Sequence, residues 1–394
     1  MLKTLMNKRI YDLCSKIEYG SFKLKFINKD YFFQGNKPGP NISMIVYKSS
    51  MLWDLYLKGS VGLGDSYIKK KFDVNNLGDF LEFGALNGSA FDNEMKGSPL
   101  FSLISKIYLT KTKNSINQSK KNIHSHYDLG NQFYTNWLDD TLTYSSGFFQ
   151  NGNESLTEAQ IKKFESLISN NVPLPGDKIL EIGSGWGSFA FYLLGKFSDI
   201  KVDTLTISKK QFEYVKEKSK LLGYSNRLNI IYKDYREHRG KYNRVYSIEM
   251  FEAVGREFWH DYFFKIRDLL LPKGIFSMQT IVIDNMYFKS YVKKIDFIQK
   301  YIFPGGMLPS VEELSKIAKK SDFEFNIKRK MADSYSKTLK IWSDNFNNKW
   351  QILKNLGFNE EFNRMWNFYL SYCYGGFKAK TIDVCQIDFK KNEI

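Results

Sequence analysis

From Pro173 onward, apolar and polar positions fall into blocks that switch between a strand rhythm and a helix rhythm. Lys178–Gly183 (KILEIG) is a short apolar run of the kind a buried strand makes, and glycine-rich punctuation closes it. Ser188–Phe197 (SFAFYLLGKF) then carries apolar residues at helical spacing. Val202–Ile207 (VDTLTI) predicts the next strand and Lys209–Leu222 (KKQFEYVKEKSKLL) the next helix. Leu228–Asp234 (LNIIYKD), Asn243–Met250 (NRVYSIEM) and Ile275–Ile283 (IFSMQTIVI) predict further strands, with a helix over His260–Leu270 between the last two. Regular alternation of this kind predicts an α/β fold with a parallel, doubly wound sheet.

The first hundred residues have a different texture. Short apolar runs at Ser43–Val46 and Leu52–Leu57 are separated by turn residues at Gly35–Pro40 and Gly59–Gly64, which predicts a smaller α/β domain. Lys106–Lys121 (KIYLTKTKNSINQSKK) holds five lysines and no acid, the signature of a solvated linker. An amphipathic membrane helix is the weaker alternative, because apolar residues are sparse after Leu109. The expected organisation is therefore a domain over 1–105, a basic linker over 106–123 and the doubly wound domain over 124–394.

Charge sharpens this picture. The chain carries a net charge of +16. Residues 1–124 hold 19 Lys and Arg against 10 Asp and Glu, so the excess is densest ahead of the glycine-rich loop. An anionic partner is implied, and both nucleic acid and an anionic membrane surface satisfy that description. No stretch reaches the roughly 18 to 20 apolar residues of a membrane span. Charges at Lys3, Lys8, Arg9 and Asp12 leave no apolar core for a signal peptide, so a cytoplasmic location is expected. Three scattered cysteines and four histidines offer neither a disulfide framework nor metal-ligand spacing.

The most specific local signal is Glu181-Ile182-Gly183-Ser184-Gly185-Trp186-Gly187, set between a strand and a helix. Glycines permit a tight turn and close backbone approach to a ligand, and a helix N-terminus offers unpaired N–H groups. The E-x-G-x-G-x-G spacing resembles motif I of class I methyltransferases and departs from the dinucleotide form G-x-G-x-x-G. Asp234, at the end of its strand, stands where that class contacts adenine, and Tyr235 beside it offers a ring for stacking. The alternative for Asp234 is a plain turn or helix cap.

A longer resemblance follows. His126–Tyr134 (HYDLGNQFY), Leu142–Ser146 (LTYSS), Leu156–Gln160 (LTEAQ), Leu205–Ser208 with Gln211, Met250–Gly255 (MFEAVG), Tyr301–Gly306 (YIFPGG), Leu308–Ser310 and Cys373–Phe377 (CYGGF) occur in one order. Together they resemble the cyclopropane-fatty-acyl-phospholipid synthases. Gly59–Tyr67 (GSVGLGDSY) is similar to the N-terminal lipid-binding domain of the phospholipid-acting members. The resemblance implies transfer of a one-carbon unit from S-adenosylmethionine to the cis double bond of an acyl chain. It implies a cofactor pocket lined by Tyr144, Ser145, Glu181, Gly183, Gly185, Gly187, Thr206, Gln211, Asp234 and Tyr235. It further implies a bound bicarbonate as the base that closes the ring, held by Glu252, Tyr335 and the Ile281 backbone. Gln279 and Ser146 stand where many members have histidine and cysteine, and both can still hydrogen-bond an anion. Cys373 matches a cysteine near the acyl pocket, for which packing is a better expectation than nucleophilic attack.

The implied partner is an unsaturated phospholipid in a bilayer, reached by peripheral association with the inner face of the cell membrane. Lys69, Lys70, Lys71 and the linker lysines would attract anionic headgroups. Nucleic acid is disfavoured, because Glu249-Met250-Phe251-Glu252 replaces the N/D-P-P-Y-type tetrad of base-nitrogen methyltransferases. Homodimerisation stays open, as does a product bearing a methyl or methylene branch in place of a ring.

Overall fold

The structure, a computed structural model, describes residues 11–26, 29–88, 98–127 and 129–392, without the side chains of 124–127. The charges expected at Lys3, Lys8 and Arg9, and the His126–Asp128 part of the entry segment, lie outside the described side chains. The chain divides into two compact units that are not contiguous in sequence.

The first unit comprises 1–111, 290–302 and 339–381. Its four-stranded sheet is formed by β1 (Tyr19–Phe26), β2 (Lys29–Gln34), β3 (Lys37–Val46) and β4 (Phe72–Val74), in the order β2-β1-β3-β4. Alternate residues Phe22, Leu24 and Phe26 of β1 are buried and the lysines between them are not, as a one-faced sheet requires. The helix Ser50–Ile68 breaks at Gly59, whose φ of 57° is left-handed. The glycines beyond the break serve contact: a Cβ on Gly62 would lie 1.9 Å from the Asp54 carbonyl oxygen, and one on Gly64 2.2 Å from Phe297. Asp65 then accepts hydrogen bonds from Lys300 at 2.9 Å and from the Tyr301 hydroxyl, which binds 290–302 to this unit.

The second unit comprises 112–289, 303–338 and 382–394. Its strands are β5 (Asp177–Ile182), β6 (Ile200–Thr206), β7 (Leu228–Tyr232), β8 (Tyr242–Ile248), β9 (Leu270–Ile283), β10 (Phe323–Lys330) and β11 (Ile382–Lys391). They form one seven-stranded sheet in the order β10-β11-β9-β8-β5-β6-β7. Pairing from β7 to β9 is parallel, and β11 joins β9 and β10 antiparallel. Every predicted strand and helix after Pro173 is present, and the antiparallel edge is an addition that the alternating pattern did not show. A core of Phe164, Leu167, Ile179, Phe189, Leu193, Val202, Val215 and Tyr246 packs helices onto one face. The strand order reverses beside β5, and doubly wound sheets bind ligands in the crevice at that point.

The predicted organisation is corrected in two places. Lys106–Lys121 is mostly helical, belonging to the helices Pro99–Lys111 and Ile116–Tyr127. Lysine-rich composition signals solvation, and an amphipathic helix satisfies that as well as a loop does. Residues 290–302 and 339–381, placed by sequence in the doubly wound domain, belong to the first unit. There Gly375 of the helix Glu360–Lys378 lies so close to the helix Leu77–Leu86 that a Cβ would sit 2.5 Å from the Leu81 backbone.

Candidate active site

The glycine-rich loop hangs from the end of β5 on backbone hydrogen bonds. Gly183 and Ser184 both donate to the Leu205 carbonyl, at 3.1 and 2.8 Å, so the loop is tied to the end of β6. Gly183, Gly185 and Gly187 all have left-handed φ, at 96°, 50° and 85°, where glycine costs least. Their surroundings differ. A Cβ on Gly185 would meet nothing within 4 Å, so this residue opens onto the cleft, whereas one on Gly187 would press on Phe191 and Val215. Gly187 caps the helix Ser188–Lys196 and permits its packing, and it does not line the cleft.

Every other residue predicted for the cofactor pocket does line that cleft: Tyr144, Ser145, Glu181, Gly183, Gly185, Thr206, Gln211, Asp234 and Tyr235. Glu181 is buried, accepts 2.6 Å from the Thr204 hydroxyl, and burial pushes its carboxyl up to about 8. Thr206 donates to Gln211 at 3.0 Å, which fixes both side chains at the end of β6. Asp234 meets both expectations weighed for it. It lines the cleft, yet its carboxylate caps the following turn at Arg236 and takes two further bonds from the Arg236 guanidinium, at 2.8 and 2.7 Å. Tyr235 packs edge-on against Tyr262, with ring centroids 5.0 Å apart, which holds its ring in place. Tyr144 is held by an aromatic cluster from the entry segment: Tyr134 lies 5.6 Å from it, 5.8 Å from Trp137 and 4.8 Å from Trp186.

The groups predicted to hold bicarbonate meet at the end of β8, and they enclose a side chain of the protein itself. The Ser146 amide donates to Oε1 of Glu249 at 2.9 Å, the Gln279 side chain donates to the same oxygen at 2.7 Å, and the Tyr335 hydroxyl donates to Oε2 at 2.6 Å. Glu252 keeps only the Ile281 amide, at 2.5 Å, with the Thr280 hydroxyl at 3.1 Å, and its Oε2 is buried without a hydrogen bond. The donors for the expected anion are thus engaged by two glutamates, three of them by Glu249. Bicarbonate does not fit this arrangement.

Burial raises the pKa of both glutamates. For Glu252 it reaches about 8, and the charge of Glu249 adds to the rise. For Glu249, Lys163 and the three donors pull against the effect of burial. At about 8, the Glu252 carboxyl favours the acid near neutrality. Lys163 is fully buried, donating to Ser145 at 2.7 Å and to Gln160 at 2.6 Å, and desolvation brings its ammonium down to about 7.

Glu249 and Lys163 were both missed as site residues by the sequence analysis. Lys163 had a signal: it falls on the apolar stripe Leu156, Ala159, Phe164 and Leu167 of its helix, where lysine is out of place. Glu249 follows directly on the β8 strand core, at the carboxyl end of a strand beside the reversal of strand order. Cys373 lies on the helix Glu360–Lys378 of the first unit.

The chain matches the family described as mycolic acid cyclopropane synthetase over residues 114–387. It is 31% identical over 337 residues to the tuberculostearic acid methyltransferase UfaA1 of Mycobacterium tuberculosis, covering 83% of this chain and 78% of that one. It is 30% identical over 348 residues to the cyclopropane-fatty-acyl-phospholipid synthase of Escherichia coli, covering 85% and 84%. Among solved structures, mycolic acid cyclopropane synthase CmaA1 complexed with SAH and CTAB superposes with a TM-score of 0.62 at 28% identity, over 69% of this chain and 98% of that one. The cofactor loop, the doubly wound sheet and these matches agree: the chain belongs to the mycolic acid cyclopropane synthetase family and is an S-adenosylmethionine-dependent methyltransferase of class I fold.

Proposed function

We propose that this protein is a cyclopropane-fatty-acyl-phospholipid synthase, acting on the cis double bond of an unsaturated acyl chain in a bilayer. The observation that carries this reading is the extent of the match to the phospholipid synthase. It covers 85% of this chain, reaching well beyond the family segment 114–387. S-adenosylmethionine supplies the electrophilic methyl group. The glycine loop, Thr206–Gln211 and Tyr235 hold it, and the buried aromatic and apolar lining excludes the water that would trap a carbocation on the acceptor.

An exposed apolar face on the first unit supports the bilayer as the source of substrate. Trp53, Tyr56 and Leu57 repeat at helical spacing on one helix, and Leu100, Leu103, Ile104 and Ile107 do so on Pro99–Lys111. The Ser98 amide donates to the Leu57 carbonyl at 3.0 Å, bringing the two stretches together. A paired apolar face bordered by lysines suits the interfacial zone of an anionic leaflet. Lys71, expected to meet headgroups, is instead tied to Asp54, so Lys69 and Lys70 are better placed for that role. Among the described residues no helix is long and apolar enough to cross a membrane, and peripheral attachment at the inner face suffices.

Expression in a host without cyclopropane lipids tests the reading, with proton NMR of the extracted lipid. Ring methylene protons upfield of all other lipid signals are the expected result, and unmodified lipid overturns it. The 31% match to a tuberculostearic acid methyltransferase favours a second product, a methyl or methylene branch, which the same spectrum distinguishes.

A further inference from the structure

We infer that the Glu249 carboxylate is the built-in general base of this methyltransferase, taking the place of any dissociable anion. The inference rests on the acyl-chain alkylation proposed above. Three observations converge on it. Glu249 is among the residues that line the same cleft as the cofactor loop. Its two oxygens accept from the Ser146 amide, the Gln279 side chain and the Tyr335 hydroxyl, which fixes the carboxylate by donors from three separate segments. Its backbone is left-handed, with φ of 48°, and the amide is pinned to the Gln279 carbonyl at 2.7 Å. A left-handed non-glycine residue carries strain, and such strain gathers at functional sites. Purely structural needs at this position would be met by glycine.

The step balances without a further reagent. The π pair of the alkene attacks the sulfonium methyl carbon, and the carbon–sulfur bond breaks with its pair remaining on sulfur. The new methyl group, on the carbon next to the cationic one, then loses a proton to a Glu249 oxygen, and the released C–H pair closes the ring onto the cationic carbon. Where a hydride first shifts from the methylated carbon to its cationic neighbour, the same proton loss gives a methylene double bond instead. Protonated Glu249 returns its proton to solvent after product leaves. Ser146, Gln279 and Tyr335 are positioning residues in this scheme.

The test uses the full-length protein with S-adenosylmethionine and unsaturated phospholipid vesicles, in buffer stripped of carbon dioxide. Wild-type turnover should be indifferent to added bicarbonate. Glu249→Gly should fold, because glycine suits the backbone, and should bind cofactor in calorimetry. Its turnover should fall about a hundredfold to ten-thousandfold, the usual range for loss of a general base. Added bicarbonate or formate, seated on the vacated donors, should restore part of that turnover. Line broadening of carbon-13 bicarbonate should appear with Glu249→Gly and be absent with wild type. Wild-type turnover that depends on bicarbonate overturns the inference, and so does an active Glu249→Gly in stripped buffer or one that no small anion rescues. Should Glu249→Gly fail to bind cofactor, Glu249→Gln decides: retained turnover overturns the inference and lost turnover supports it. If wild type alkylates no lipid at all, the proposed function fails, and the bicarbonate signal still decides the present point.

Discussion

The ends of β5 and β8 lie side by side in the sheet, yet they are built on opposite principles. At the end of β5 the backbone does the work: three left-handed glycines, two amides tied to Leu205, and open space over Gly185. At the end of β8 side chains do it, with three donors closing on Glu249 and two on Glu252. A backbone site is sensitive to added bulk and tolerant of changes in charge. A carboxylate site is sensitive to one atom, because a buried polar group left without its partner loses about 1–3 kcal/mol.

Exchanging one oxygen at β8 should have the largest effect. Glu249→Gln is expected to reduce turnover about a hundredfold or more while the cofactor dissociation constant changes far less. Parallel losses in calorimetry and rate would show instead that the two strand ends form one binding site. Adding bulk at β5 comes next. Gly185→Val places a β-branched side chain at left-handed φ and into the cleft, with backbone strain alone of about 1–3 kcal/mol. Cofactor affinity should fall roughly tenfold to a hundredfold, and unchanged affinity would move the cofactor away from this loop.

Removing one donor is milder. Tyr335→Phe leaves Glu249 its Ser146 and Gln279 bonds, so kcat should fall roughly tenfold with KM for lipid held. A drop confined to KM would place Tyr335 with the substrate. The smallest effect concerns stability. The carboxyls of Glu252 and Glu181 are raised from 4.5 to about 8, so the folded chain binds these protons more tightly than the unfolded chain does. Their contribution is complete below about pH 4.5 and is lost as pH rises through about 8. Lys163, lowered to about 7, favours the fold only as pH climbs above that value. Burial raises the Asp296 carboxyl to about 6, which leaves the range from about pH 6 to 7 to the glutamates. Glu252→Gln should flatten the decline of thermal stability across that range, and an unchanged slope would assign it to Glu181.

Local rules carried the first of these strand ends and not the second. The glycine loop was legible because turn, cleft and helix start are all encoded in seven consecutive residues, Glu181 to Gly187. Gln279, Ser146 and Tyr335 were legible as a set only through the family resemblance, which pointed them at Glu252 and an external anion. Their target is Glu249, and nothing within a few residues of any one of them indicates it. The unit boundaries failed for a similar reason. Residues 339–381 join the first unit through close approach at Gly375 and Leu81, positions far apart in sequence.

What the sequence determined by itself was therefore periodic or contiguous: the alternating strands and helices of the second unit, the glycine-rich turn, and the surplus of positive charge. Each follows from steric or hydrogen-bonding needs that span only a few residues. Tertiary structure alone decided which carboxylate the distant donors enclose, that Lys163 is buried beside it, and that β11 returns antiparallel to complete the sheet. Those outcomes depend on burial, which sets the strength of charge and hydrogen bonding, and burial is a property of the packed chain as a whole.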